Sequence, residues 1–302
     1  MKSKLPVLFI MDMDKTIIGE SDMILGAHSL IDFVRNCCKT NKIQDLPCPK
    51  AVKYQDLTIK EFIRPDAKNF FHKIKENFPT AEFFIYSHGT KDYVDKMIPM
   101  LEKELDMQFA RPIFTRNDCI QNERGKDMKT VMVHYDTMIK SLVNKYPALK
   151  DKKNQDLVIK ERILFIDDND MVWDIKTKWI KCPHYSYKPI IDIQSYIDSK
   201  TIQHELVQSY IKAELNYFVI TNVESNTIDE QKMAYHVHMA SLYQSVVEVN
   251  RDALKDKFFD ILLNVLKPYK NHVHLFKDEY IEKINKTLEN KLKKAYQNTC
   301  SF

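Results

Sequence analysis

Three short, largely apolar runs in this chain stop abruptly at a polar residue. Pro6–Met11 runs into Asp12, Glu82–Tyr86 into Ser87, and Ile163–Ile166 into Asp167. Runs of this length with no alternation are how parallel strands buried on both faces read. Between them the apolar spacing is helical. After Pro65 and Asp66 come Ala67, Phe70, Phe71 and Ile74 on one face. Within Lys91–Leu105, Val94, Met97, Ile98 and Leu101 share another face, despite Pro99. Strands alternating with helices predict an α/β sheet with crossover helices. In such sheets the ligand lies beyond the carboxyl ends of the strands. Asp12, Ser87 and Asp167 are therefore expected to converge at one edge.

The kind of phosphate or nucleotide site available there is limited by glycine. The 302 residues include four, at positions 19, 25, 89 and 125, where average usage gives about 20. Neither a dinucleotide fingerprint nor a P-loop can be built from that spacing. A phosphate would have to be held by side chains, a metal and a few backbone amides. Gly19 and Gly89, beside the first two strand ends, are candidates for close backbone approach or positive φ.

The region after about residue 195 reads differently. Its apolar residues recur at helical spacing: Leu206, Tyr210, Ala213 and Tyr217; then Met239 to Ala253; then Ile281, Ile284, Leu288 and Leu292. The expected organisation is residues 1–195 as the α/β domain, with insertions at 19–58 and 119–140, followed by an all-helical appendage at 196–302. Met23–Val34, inside the first insertion, reads as a helix that would shade the strand ends. No apolar run reaches the ~18 residues of a membrane span, and the N-terminus lacks a small-residue cleavage site. The six cysteines form no CxxC pair, which points to free thiols and an intracellular, cytoplasmic or nuclear protein. Net charge is +4 and the lysines are scattered, so direct nucleic-acid binding is not expected. His236 with His238, and His272 with His274, lie in helical or turn sequence, where alternate residues diverge, and no metal is expected there.

The segment Asp12-Met13-Asp14-Lys15-Thr16 carries the chemistry. Two carboxylates two residues apart repel unless something holds them, and Mg²⁺ with its preference for oxygen ligands does so. One carboxylate can then act as nucleophile toward phosphorus. The other can protonate a leaving alcohol and later deprotonate water.

FIMDMDKTI resembles the first motif of the haloacid dehalogenase superfamily, and the other motifs follow in order. FIYSHGTKDYV is similar to the second, TMIKSLVNKYP to the third and ILFIDDNDMVWD to the fourth. FIRPDAKNFF, PIFTRNDC and IDDNDMVW narrow the resemblance to FCP/SCP-type phosphatases, which act on the C-terminal domain of RNA polymerase II. The similarity covers residues 5–190.

That resemblance implies a Rossmann-like core with a central parallel sheet, and a Mg²⁺-dependent phosphomonoesterase passing through an aspartyl phosphate. Asp12 would be nucleophile and metal ligand. Asp14 would be general acid and base, its backbone carbonyl also ligating the metal, with Thr16 steadying the loop. Ser87 would hold a phosphoryl oxygen, with Thr90 as a competitor for that role. Lys140 would neutralise charge, with Lys126, Lys129 and Lys145 as rivals because the stretch before it is long. Asp168 would be a metal ligand, supported by Asp167. Arg64 and Arg116 read as structural ion-pair residues. The implied substrate is a phosphoserine or phosphothreonine protein, with the polymerase tail as one candidate. The alternatives are a phosphatase for small molecules or nucleic-acid ends, and a catalytically silent binding module. The C-terminal helices are free to associate with themselves or a partner.

Overall fold

A computed structural model of the protein describes residues 5–20, 22–40, 42, 47–49, 62–121, 125, 127–170, 172, 174–188, 197, 199–210, 247–270 and 276–297. In chain order the elements are β1 (Val7–Met11), α1 (Asp22–Lys39), α2 (Ala67–Asn77), β2 (Ala81–Ile85) and α3 (Lys91–Leu105). These are followed by β3 (Ile120–Gln121), β4 (Asp127–Met128), α4 (Val131–Leu142), α5 (Lys152–Glu161), β5 (Ile163–Asp167) and β6 (Trp179–Lys181). The chain ends with α6 (Ser199–Gln203), α7 (Phe258–Leu266) and α8 (Asp278–Gln297). Short 3-10 turns join several of them.

Four strands form a parallel sheet in the order β2-β1-β5-β6. The register sets Met11 level with Ile85 on one side and with Ile166 on the other. Asp12, just past β1, and Asp167, the last residue of β5, therefore lie at the same height on the carboxyl edge of the sheet. From β1 the chain goes to β2 on one flank, and later enters β5 on the opposite flank. That reversal makes the end of β1 the switch point, where open α/β sheets place their ligands.

The sheet is covered on both faces, which is why its three long strands are buried throughout. Leu8 and Ile10 face a core with Tyr135, Met138 and Ile139 of α4 and with Val158 of α5. Phe9 points the other way, its ring 5.2 Å from that of Phe83 and 5.9 Å from that of Phe276. On that side α2 buries Ala67, Phe70, Phe71 and Ile74, the face its spacing predicts. Phe70 meets Phe259 of α7 at 4.8 Å.

By contact the chain divides into two compact units. One comprises Met1–Gly19, Ile59–Tyr187 and Ala253–Phe302; the other comprises Glu20–Thr58 and Lys188–Asp252. This grouping differs from a division near residue 195. The last two helices pack with the α/β core, because their apolar faces complete one of its layers. Phe258, Phe259 and Leu262 of α7 and Ile281 and Ile284 of α8 are buried. Asn285 of α8 donates to the Trp179 carbonyl at 2.8 Å, and Lys178 reaches Asp278 at 2.5 Å. These apolar residues of α7 and α8 are thus spent on the core.

The second unit contains α1, as the Met23–Val34 run predicts, and α6. Leu30, Ile31, Val34 and Cys37 share a cluster with Ile197 and Val207, and Phe33 stacks on Tyr210 at 4.2 Å. Ala213, Tyr217, Met239 and both histidine pairs lie outside the described residues. No helix among the described residues is long and apolar enough to cross a membrane.

Candidate active site

The loop after β1 is a tight turn built on one carbonyl. The amides of Ile17 and Ile18 donate to Met13 O at 2.9 and 3.1 Å. Closing it forces Lys15 to φ 60°, a left-handed conformation that costs a non-glycine residue ~1–2 kcal/mol. The surroundings hold it there. Tyr185 N donates to Lys15 O at 2.8 Å, and Arg64 donates to Thr16 O at 3.3 Å. Gly19, at the end of the turn, meets the chain again. A Cβ there would lie 2.1 Å from Tyr187 O, so close approach, and not positive φ, requires the glycine.

Asp12, buried at 5% exposure, donates its amide to Ile166 O at 2.9 Å and so stays bound to the neighbouring strand. Lys129, equally buried, comes in from the end of β4. Its Nζ donates to Asp12 Oδ1 at 2.5 Å and to Asp167 Oδ2 at 2.7 Å. Burial by itself would lower the pKa of this ammonium, but the two carboxylates outweigh it and hold the pKa above its ordinary value. Burial and the charge of Asp12 push Asp167 up, against the pull of Lys129. Asp168 is raised for the same two reasons, opposed by His184, whose Nδ1 lies 3.1 Å from Asp168 Oδ2. Thr16 ties the two loops together, its Oγ1 accepting from Asp168 N at 3.2 Å.

Asp14 is held from the β2 side. Tyr93 of α3 donates its hydroxyl to Asp14 Oδ1 at 2.6 Å. Ser87 Oγ donates more weakly to Oδ2 at 3.5 Å, and accepts from Gly89 N at 2.9 Å. Asp12, Asp14, Lys129, Asp167 and Asp168 line an open cleft of about 630 Å³. Lys15, His88, Lys181 and His184 contribute further cationic or titratable groups to its walls. Carboxylate oxygens of Asp12, Asp167 and Asp168 lie within 4.8 Å of one another, a set of hard oxygen donors that fits a divalent cation such as Mg²⁺.

Of the residues expected from sequence, Asp12, Asp14, Thr16, Ser87, Asp167 and Asp168 come together. Lys140 does not. It sits in the last turn of α4, exposed, roughly 14 Å along the helix from the end that meets the sheet edge. The lysine beside Asp12 is Lys129, one of the rivals. Lys145 is drawn off to Glu82 at 2.5 Å, and Lys126 lies outside the described residues. Thr90 is exposed as the residue preceding α3 and does not line the cleft. Ser87 lies beneath the cleft surface, fully buried. Arg116 makes a backbone bond to His88 O at 2.7 Å in place of the expected ion pair. Tyr93, His88, Lys15, Lys181 and His184 were not singled out from the sequence, although Lys15 and His88 lie in the segments that follow β1 and β2 and Lys181 closes β6. Lys129 was legible only as one of three rivals to Lys140, raised by the length of the stretch before that residue.

The profile of NLI interacting factor-like phosphatases matches residues 7–212, more than half of the chain. The chain belongs to that family. That is the phosphatase family, within the haloacid dehalogenase superfamily, that the sequence motifs resemble, and the chain's parallel sheet flanked by helices agrees with the fold expected from them. No curated protein sequence matches it. Among solved structures it is similar to a variant of the fission yeast RNA polymerase II CTD phosphatase Fcp1 bound to beryllium fluoride. The identity is 18% and the TM-score 0.34, covering 98% of this chain and 65% of that one. It thus spans just under two thirds of that relative's length. A second structure, of Fcp1 described as an essential RNA polymerase II CTD phosphatase, is 16% identical at TM-score 0.35, covering 93% and 71%. The HAD domain of the Legionella pneumophila effector Lem4 is 14% identical at TM-score 0.23, covering 56% and 75%.

Proposed function

We propose that this family member is a Mg²⁺-dependent phosphomonoesterase that forms an aspartyl phosphate on Asp12, with phosphoserine or phosphothreonine proteins as its substrates. The observation that carries the reading is the placement of Asp12. It is a buried carboxylate at the switch point of the sheet, bonded to Lys129 and flanked by Asp14 on its own loop and by Asp167 and Asp168 on the next.

Lys129 fixes the orientation of the Asp12 carboxylate and offsets negative charge as the dianionic ester approaches. An Asp12 oxygen attacks phosphorus, the bond from phosphorus to the leaving oxygen breaks, and Asp14 delivers a proton to that oxygen. Asp14 then takes a proton from water as it attacks phosphorus. The bond to Asp12 breaks and phosphate leaves. Asp12, Asp167 and Asp168 would hold Mg²⁺, which when bound supplies positive charge to the phosphoryl oxygens. Phosphoryl transfer asks mainly for positioning and charge stabilisation, and every group named here is bonded in place. The open cleft suits a phosphorylated side chain presented by a peptide. The polymerase tail, the substrate named for the two Fcp1 structures, is the first phosphoprotein to try.

Turnover of p-nitrophenyl phosphate with Mg²⁺ should be abolished in Asp12→Asn; equal rates would sink the mechanism. Phosphopeptides of the polymerase tail repeat, assayed beside nucleotides and sugar phosphates, test the substrate class. A preference of about tenfold or more for the small phosphates, a difference of ~1.4 kcal/mol in barrier, would reverse that assignment.

A further inference from the structure

Tyr93 lies near the end of the segment FIYSHGTKDYV, which gave it no role, yet its hydroxyl donates to Asp14 Oδ1 at 2.6 Å. It stands at the third position of α3, and its side chain passes over the loop that leaves β2 to reach the carboxylate. The path is open because residue 89 is glycine. A Cβ at Gly89 would lie 2.7 Å from the Tyr93 ring, 3.0 Å from Val94 and 3.1 Å from Ser87 Oγ. Gly89 has no positive φ among the described glycines, so the missing side chain, and not backbone freedom, is what this position requires. The ring itself is 6% exposed, and packing leaves it few rotamers.

We infer that Tyr93 is a positioning residue for the proposed acid, turning the Asp14 carboxyl so that Oδ2 faces the leaving group, and that Gly89 exists to let it do so. The inference rests on the reading of Asp14 as proton donor. The hydroxyl donates to Oδ1, which makes Oδ1 the accepting oxygen of the protonated carboxyl and Oδ2 the one that carries the proton. When the bond between phosphorus and the leaving oxygen breaks, that proton passes from Oδ2 to the alkoxide and Asp14 is left ionised. The Tyr93 proton does not move. Ser87, at 3.5 Å from Oδ2, is too distant to hold the group by itself.

A misplaced acid matters in proportion to how much the leaving group needs a proton. An alkoxide such as serine needs one, whereas p-nitrophenolate departs largely without help. Tyr93→Phe keeps the buried ring and removes only the hydroxyl. With Mg²⁺ present, kcat for a phosphoserine peptide or another alkyl phosphate should fall about tenfold or more, and kcat for p-nitrophenyl phosphate by less than about threefold. Gly89→Ala, which displaces the ring and also presses on Ser87, should lose at least as much kcat on the alkyl ester as Tyr93→Phe does. Parallel loss on both esters in Tyr93→Phe, or no loss on either, overturns the positioning role while leaving the phosphatase reading intact. A wild-type protein without Asp12-dependent turnover of either ester overturns the reading of function and this role with it. A crystal structure of Tyr93→Phe gives a readout independent of turnover. Asp14 should rotate away from its present orientation, and an unmoved carboxyl rejects the proposal.

Discussion

Arg64 and Asp256, 192 residues apart, form a two-point ion pair, with Nε to Oδ1 and Nη2 to Oδ2 both at 2.8 Å. Arg64 is 1% exposed and lies over the Phe258 ring at 4.5 Å. Its remaining nitrogen donates to Thr16 O and to Cys182 Sγ. Tyr296 completes the set by donating to Asp256 Oδ2 at 2.9 Å. The C-terminal helices are thereby connected to the loop that carries Asp12 and Asp14. Breaking a buried pair from one side leaves an uncompensated charge. Arg64→Met should therefore cost about 3–5 kcal/mol, measured as a shift in denaturation midpoint. Replacing Asp256 by Leu in the same chain should recover part of the loss. A cost below ~1 kcal/mol would match that of an exposed pair and would contradict the burial.

Lys129→Met should reduce kcat on p-nitrophenyl phosphate by about 10²–10³, the usual effect of removing one charge-stabilising donor. Lys140→Met, at an exposed position on α4, should leave it within about twofold. Steady-state rates on the two variants decide between the lysines. The reverse pattern would restore Lys140.

Divalent metal should bind the native state and not the unfolded chain. At a Mg²⁺ concentration of ~100 times its dissociation constant, stabilisation should reach about 2.7 kcal/mol. Melting temperatures with Mg²⁺ and with EDTA report this directly. Asp168→Asn removes one of the three converging carboxylates and should erase most of the difference.

His88 offers a pH signature. Burial first, then the nearby Lys129 charge, push its pKa down to about 4 from 6.5, with Asp12 and Asp127 pulling weakly the other way and Arg116 adding to the fall. Its Nε2 is buried without a partner among the described residues. Between these two values the unfolded chain binds a proton that the folded chain does not. Stability is thus fully present above pH 6.5 and is lost as pH falls toward 4. Asp167, whose pKa is raised, slopes the other way, so the test is the difference between wild type and His88→Gln. The variant should lose less stability than wild type on acidification across that window. Superimposable curves would show that His88 does not titrate in this way.

Much of the fold could be read from local patterns. Continuous apolar runs marked β1, β2 and β5 because a strand covered on both faces has no polar side to display. The faces of α2 and α3 were legible because helical periodicity repeats within a few residues. Asp12 and Asp167 were found because each ends an apolar run and parallel strands in register bring their ends together. Asp14 was found because it pairs with Asp12 two residues away, and Thr16 and Asp168 through the resemblance of their motifs. Thr90 was misplaced because it and Ser87 differ by three residues, which is enough to move from the strand end onto the start of a helix.

What the amino-acid sequence alone determined is therefore the set of buried strands, the helix faces that cover them and the acidic edge where they end. All of these depend on interactions within a short stretch of chain. Tertiary structure decided which lysine meets Asp12, 117 residues away, which tyrosine holds Asp14, and that the last two helices join the core through Arg64 and Asp256. These are pairings between distant segments. Their geometry is set by how the crossovers and layers stack, and a residue's near neighbours in sequence carry no record of that distance.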